Sequence, residues 1–100
     1  MIIAKTIDEA RQIVWQWKAE GLTIGLCPTM GYLHEGHLSL MRASKEENDR
    51  TVASVFVNPM QFGPTEDLAK YPRDFERDCE MLQAEGVDMV FAPEASEMYD

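Results

Sequence analysis

Residues 51–57, Thr-Val-Ala-Ser-Val-Phe-Val, form a largely apolar, β-branched run with no alternation of apolar and polar positions. A strand with one face in water alternates, so a run like this one calls for cover on both faces. The layered solution is a parallel sheet with helices on either side. The flanking sequence supplies them. Thr6-Ile7-Asp8-Glu9 has the form of a capping box, and Ile7, Ala10, Val14 and Trp17 follow at helical spacing until Gly21. Leu22 to Cys27 reads as a strand bounded by Gly21 and Pro28. A second helix is expected from near Gly36 to about Asn48, with His37, Leu40, Met41 and Ser44 on one face. Phe75, Cys79 and Leu82 mark a third helix ended by Gly86, and Val87 to Ala92 a third strand before Pro93. Trp15 and Trp17 are expected to pack. The order helix, then β-α-β-α-β, favours parallel strands with right-handed crossovers. Ligands of such sheets bind beyond the carboxyl ends of the strands. That rule selects Pro28–His37 and the long, proline-punctuated segment Asn58–Tyr71.

Charge narrows the ligand. The net charge of -9 is unevenly spread. Residues 1–45 carry five basic and four acidic side chains, while residues 46–100 carry four basic and fourteen acidic ones. Such a surface repels a phosphate backbone, so nucleic acid is not an expected partner. A polyanion would be met by backbone amides, a helix end or a metal ion, in the near-neutral first half. With 45% apolar and 27% charged residues the chain has an ordinary globular composition. No apolar run approaches the ~20 residues of a membrane span. Met1-Ile2-Ile3-Ala4-Lys5 lacks the start of a signal peptide. A cytoplasmic protein without membrane partners is expected, with Cys27 and Cys79 as buried thiols. One hundred residues make one domain, small for an enzyme that encloses a large substrate.

Both histidines of the chain, His34 and His37, lie three residues apart where the second helix begins. A helix amino end offers unpaired N–H groups and partial positive charge, which suits phosphate. Gly36 would let an anion approach the backbone, and two imidazoles can donate to phosphate oxygens. The pattern suggests phosphoryl or nucleotidyl transfer, with developing charge met by preorganised donors. Simpler readings compete: a histidine at a helix start also serves as a cap, and H-x-x-H spacing suits zinc, though His34 and His37 are one residue too close for H-E-x-x-H. In the second segment Asn58 and Gln61 supply amides that would read a hydroxyl or carboxylate, and Met60 and Phe62 an apolar wall. The competing reading is a proline-bracketed turn whose amides cap their own backbone. Lys70, Tyr71 and Arg73 stand where a loop closes on a ligand.

Taken together, PTMGYLHEGHLSL and SVFVNPMQFGPTEDLAKYPRDFERD resemble the signatures of the pantoate–β-alanine ligases, the pantothenate synthetases. The first resembles their ATP-binding H-x-G-H stretch, shared with other nucleotidyltransferases, and the second their pantoate loop. VDMVFAP is similar to the family's third strand. The resemblance implies an α/β, three-layer Rossmann-like nucleotide-binding fold with a parallel sheet, of which residues 1–100 would be roughly the first half, the C-terminal domain being absent. It implies a ligase that condenses pantoate with β-alanine through a pantoyl adenylate, using ATP with Mg²⁺, and a homodimer. Met30, Gly31, Tyr32, Leu33, His34, Glu35, Gly36 and His37 would bind ATP. His37 would be the proton donor, and His34 would also contact phosphate oxygens. Gln61 would bind both pantoate and β-alanine, with Asn58 and Phe62 beside it; no metal ligand is implied. Lacking the family's further phosphate-binding residues, the chain alone is not expected to catalyse the reaction. Two alternatives stand beside this one: another H-x-G-H nucleotidyltransferase, against which NPMQF argues, and a non-catalytic module that self-associates through exposed sheet.

Overall fold

The structure, a computed structural model, describes residues 1–56 and 74–98. In chain order the elements are β1 (Ile2–Ala4), α1 (Ile7–Ala19), β2 (Ile24–Thr29), α2 (Glu35–Glu47), β3 (Arg50–Val55), α3 (Phe75–Ala84), β4 (Met89–Phe91) and α4 (Ala95–Met98). The four strands form one sheet in the order β1-β4-β3-β2, with every pairing parallel. From β2 the chain steps through β3 to β4 in one direction, after crossing the sheet the other way from β1 to β2. Crossovers of one hand then place α1 on one face and α2 and α3 on the other.

The core shows this division residue by residue. Val52 and its neighbour Met89 join Ala4 in a cluster packed by Ala10, Ile13, Val14 and Trp17 of α1. One position along, Ala53 and Val90 face the opposite way, with Leu33, Met41, Leu82 and Val87. Successive side chains of a strand point to opposite faces, so a run such as Thr51–Val55 serves two cores at once. Three layers result, as the double-sided apolar run requires.

Local signals hold with adjustments. Thr6 caps α1, its hydroxyl accepting from the Glu9 N–H at 3.1 Å, but the Glu9 carboxylate accepts from that hydroxyl rather than from a backbone N–H. The α1 amino end gains a partner from far along the chain: the Ile7 N–H donates to Glu97 of α4 at 2.8 Å. Trp15, expected to pack, is 62% exposed with the Arg11 guanidinium over its ring, because it falls on the outer side of α1 from Val14 and Trp17. The first strand was not expected. Three residues are too few to show a period, and β1 exists only through its pairing with β4. β2 continues past the expected stop, through Pro28 to Thr29. The carbonyls of Thr23 and Thr29 accept from Arg50 at the start of β3 and from Phe56 just past its end, so the odd-numbered peptide groups of β2 face β3. Pro28, even-numbered, directs its missing N–H to the outer side, where proline is tolerated. At the amino ends of the strands Asp49 accepts from the Thr23 N–H and Asp88 from the Thr51 N–H, tying the β2 and β4 approaches to β3. The backbone and hydroxyl of Thr23 hold the Asp49 carboxyl below its ordinary range.

Leu82, fully buried on α3, joins helix to sheet in the larger cluster. Leu82→Ala is expected to cost ~2–5 kcal/mol, the range for emptying such a core position. Urea unfolding measures it; a loss below about 1 kcal/mol would show that α3 does not carry this packing.

Candidate active site

The carboxyl end of β2 leads straight into the first signature segment. Thr29 starts its ordering: its hydroxyl donates to the Ser54 carbonyl at 3.0 Å and accepts from the Gly31 N–H at 3.1 Å. The chain then turns through two left-handed residues, Gly31 at φ 86° and Tyr32 at φ 51°. Glycine adopts this region freely, whereas a tyrosine there needs outside support. Asp78 of α3 supplies it, its two carboxylate oxygens accepting from the Tyr32 and Leu33 N–H groups, each at 2.8 Å. Leu33 and Asp78 are buried, and the Arg77 guanidinium lies over the Tyr32 ring at 5.2 Å.

The two histidines follow as a reciprocal cap on α2. His34 is the N-cap residue, and its Nδ1 accepts from the Gly36 N–H at 3.0 Å. His37 reaches back so that its Nδ1 accepts from the His34 N–H at 3.1 Å. The ring centroids are 4.0 Å apart. The cap therefore uses Nδ1 of each ring and makes no use of Nε2. Because each Nδ1 accepts a hydrogen bond, each neutral ring carries its proton on Nε2, a tautomer assigned from these bonds. The glycine between them has a reason other than ligand approach: a Cβ on Gly36 would lie 2.8 Å from His34 Cε1.

Of the eight residues expected to meet nucleotide, Met30 to His37, the structure brings all into this turn, yet much of its backbone is already engaged. The N–H groups of Gly31, Tyr32, Leu33, His34 and Gly36 all go to side chains of the chain itself. His37 also lines a groove of about 360 Å³ along β2 and α2, with Leu26, Thr29, Leu40 and Ser44 among its walls. Glu35, with Glu85, holds the Arg42 guanidinium. Asn58, Gln61 and Phe62, with Lys70, Tyr71 and Arg73, lie outside the described residues. The described ends of that segment both reach the turn: the Phe56 N–H donates to the Thr29 carbonyl at 3.0 Å, and α3 carries Asp78.

Sequence reasoning missed Asp78. Its trace was there, a carboxylate on the apolar stripe of Phe75, Cys79 and Leu82. An acid at such a position is seldom buried without partners. Cys79 beside it is half-buried, and burial pushes its thiol up.

Burial and the neighbouring His34 lower the His37 pKa below 6.5, against the opposing pull of Asp78. His37 is then neutral at pH 7, with Nε2–H as its donor. The unfolded chain binds more protons in the window between the lowered value and ~6.5, so stability rises with pH there and is lost as pH falls through it. Imidazole NMR is expected to show a His37 midpoint below 6.5; a midpoint above that value would contradict the described burial.

Comparison with known proteins bears on this turn. The family model described as Pantoate-beta-alanine ligase matches residues 2–100. The chain is 60% identical over 99 residues to the pantothenate synthetase of Caldicellulosiruptor saccharolyticus, covering 99% of this chain and 35% of that protein. It is 58% identical to that of Geobacillus thermodenitrificans over 99 residues, again 99% of this chain and 34% of the relative. Among solved structures, the pantothenate synthetase of Thermus thermophilus superposes with TM-score 0.86 at 50% identity, over 99% of this chain and 34% of that one. The pantoate–β-alanine ligase of Francisella tularensis, complexed with β,γ ATP and β-alanine, gives 0.85 at 39% identity, over 99% and 38%. The chain thus spans about a third of the length of these relatives. A fold of parallel strands, both signature segments and a match from residue 2 to residue 100 agree: the chain belongs to the pantoate–β-alanine ligase family.

Proposed function

We propose that this chain forms the part of a pantoate–β-alanine ligase that carries the paired histidines and the pantoate loop. In the reaction so assigned, the pantoate carboxylate attacks the α-phosphorus of ATP, expelling pyrophosphate and leaving pantoyl adenylate. The β-alanine amine then attacks the acyl carbon and AMP leaves. The observation that carries the reading is the reciprocal cap, in which both Nδ1 atoms are taken by backbone N–H groups, so that two Nε2–H donors stand at the carboxyl end of β2.

Adenylation demands positioning and charge stabilisation more than covalent help from the protein. On this reading His37 is the proton donor to the phosphate oxygens and His34 contacts them beside it. The groove past His37 receives part of the nucleotide, while Gln61, with Asn58 and Phe62, binds pantoate and β-alanine. Mg²⁺ enters with ATP as part of the substrate. The neutral state of His37 supports a hydrogen-bond donor that does not alter the charge of the site. The apolar side chains of Ile2, Ile3 and Leu26, exposed on the two outer strands, support cover by further protein. A homodimer working in the cytoplasm is part of the proposal. Residues 1–100 are, on the same reading, one portion of the nucleotide-binding domain.

The test joins this chain to the portion of the C. saccharolyticus synthetase that it does not match. Expected is AMP formation that needs both pantoate and β-alanine, falling ~10²–10³-fold with His37→Ala, the usual loss for one preorganised donor. A chimera that makes no AMP while the intact relative is active, or a His37→Ala form within about threefold of it, would defeat the assignment.

A further inference from the structure

Asp78 is a buried acid with no place in the reaction just proposed. It is 1% exposed, sits one turn into α3 and sends both carboxylate oxygens to consecutive N–H groups of another segment, 45 and 46 residues away. Consecutive amides in a turn of this kind make a concave donor pair that ordinarily collects an anion. Here the anion is part of the chain. Among the described residues the cation paired with it is Arg77, which stands 3.7 Å from Oδ1 and lies partly in solvent, so the two amides are the closer partners. A charged acceptor on two short bonds is among the stronger polar contacts available to a protein.

The position of those amides gives the contact its consequence. Tyr32 holds a left-handed backbone that a tyrosine does not favour, and Leu33 is the last residue before His34. The path from Gly31 into the α2 cap is therefore set by Asp78, and the cap in turn fixes which nitrogen of each histidine carries the proton. Packing around Gly31 is tight in the same direction, since a Cβ there would lie 3.3 Å from Asp78 Oδ2 and 3.2 Å from Val55 Cγ1.

We infer that Asp78 is a positioning residue for the histidine pair: its carboxylate holds Tyr32 and Leu33 so that His34 and His37 cap each other and present Nε2–H. It touches no substrate and acts through the turn. The value of the arrangement for ATP rests on the ligase reading, whereas its effect on the histidines does not.

Two measurements on the chain itself decide the structural half. In the unsubstituted chain the Tyr32 and Leu33 amides are expected to exchange with solvent far more slowly than coil amides, and ¹⁵N shifts of both imidazoles to show Nε2–H at pH 7.5 to 8. In Asp78→Asn one oxygen becomes an NH₂ facing an N–H donor, and the imidazole shifts are expected to move towards those of a mobile histidine. Asp78→Glu, which keeps the charge, is expected to retain the Nε2–H signature. Met81→Ala, which thins the same core from the same helix, is expected to lower stability with the signature intact. Coil-like exchange at Tyr32 and Leu33 would overturn the inference, as would an unchanged signature in Asp78→Asn or its equal loss in Met81→Ala. Should Asp78→Asn not fold, the exchange rates together with Asp78→Glu decide the matter.

The chimera tests the catalytic half. Asp78→Asn is expected to lower kcat/KM for ATP on the order of 10- to 100-fold, by analogy with the loss of an outer partner at a metal-bound histidine, with KM for β-alanine within about twofold. ATP kinetics unchanged alongside a lost signature would also overturn the proposed role. An unsubstituted chimera without activity counts against the ligase reading instead, and the exchange and tautomer results still decide the role of Asp78.

Discussion

Strand β3 is bonded along both edges, to β2 over six residues and to β4 over three, and the rest of the molecule is arranged around those pairings. Its side chains alternate between two cores, so helices are required on both faces of the sheet. Its parallel partners place all four carboxyl ends on one side. There the turn after β2 meets the end of β3 through the Phe56 N–H and the Thr29 carbonyl. The site is built where two neighbouring strands finish, with the helix that precedes β4 closing it from one face.

At that point the backbone is satisfied from within. Phosphate-binding turns commonly leave a row of N–H groups open to the ligand. In this turn side chains have taken five of them: Thr29 binds one, Asp78 two, His37 one and His34 one. The result is a turn in which five backbone N–H groups and both imidazole Nδ1 atoms are already engaged. Preorganisation of that kind suits a reaction whose demand is charge placement.

Much of this was legible in the residues. The unbroken apolar run at 51–57 called for a two-sided sheet, and the spacing of Ala10, Val14 and Trp17 gave a helix with its packed face. H-x-G-H beside a helix start marked the turn. Other features were hidden for identifiable reasons. β1 is too short to carry a period. Trp15 looks like core by type and is exposed by phase. Asp78 looks like one more charge in an acidic half, because nothing local distinguishes a carboxylate in water from one that caps a turn 45 residues earlier.

The amino-acid sequence by itself determined the two-sided sheet, the parallel strands and the place of the histidine pair at a helix start, since each follows from periodicity or from neighbours within a few residues. Only the tertiary structure decided how the pair is held. A Cβ on Gly36 would meet the His34 ring, and the turn is shaped by an acid from α3. Both are close contacts at a single spot, and the second joins residues far apart in the chain. Periodicity places a residue on a face; which atoms on that face come within 3 Å of each other is settled when the layers pack.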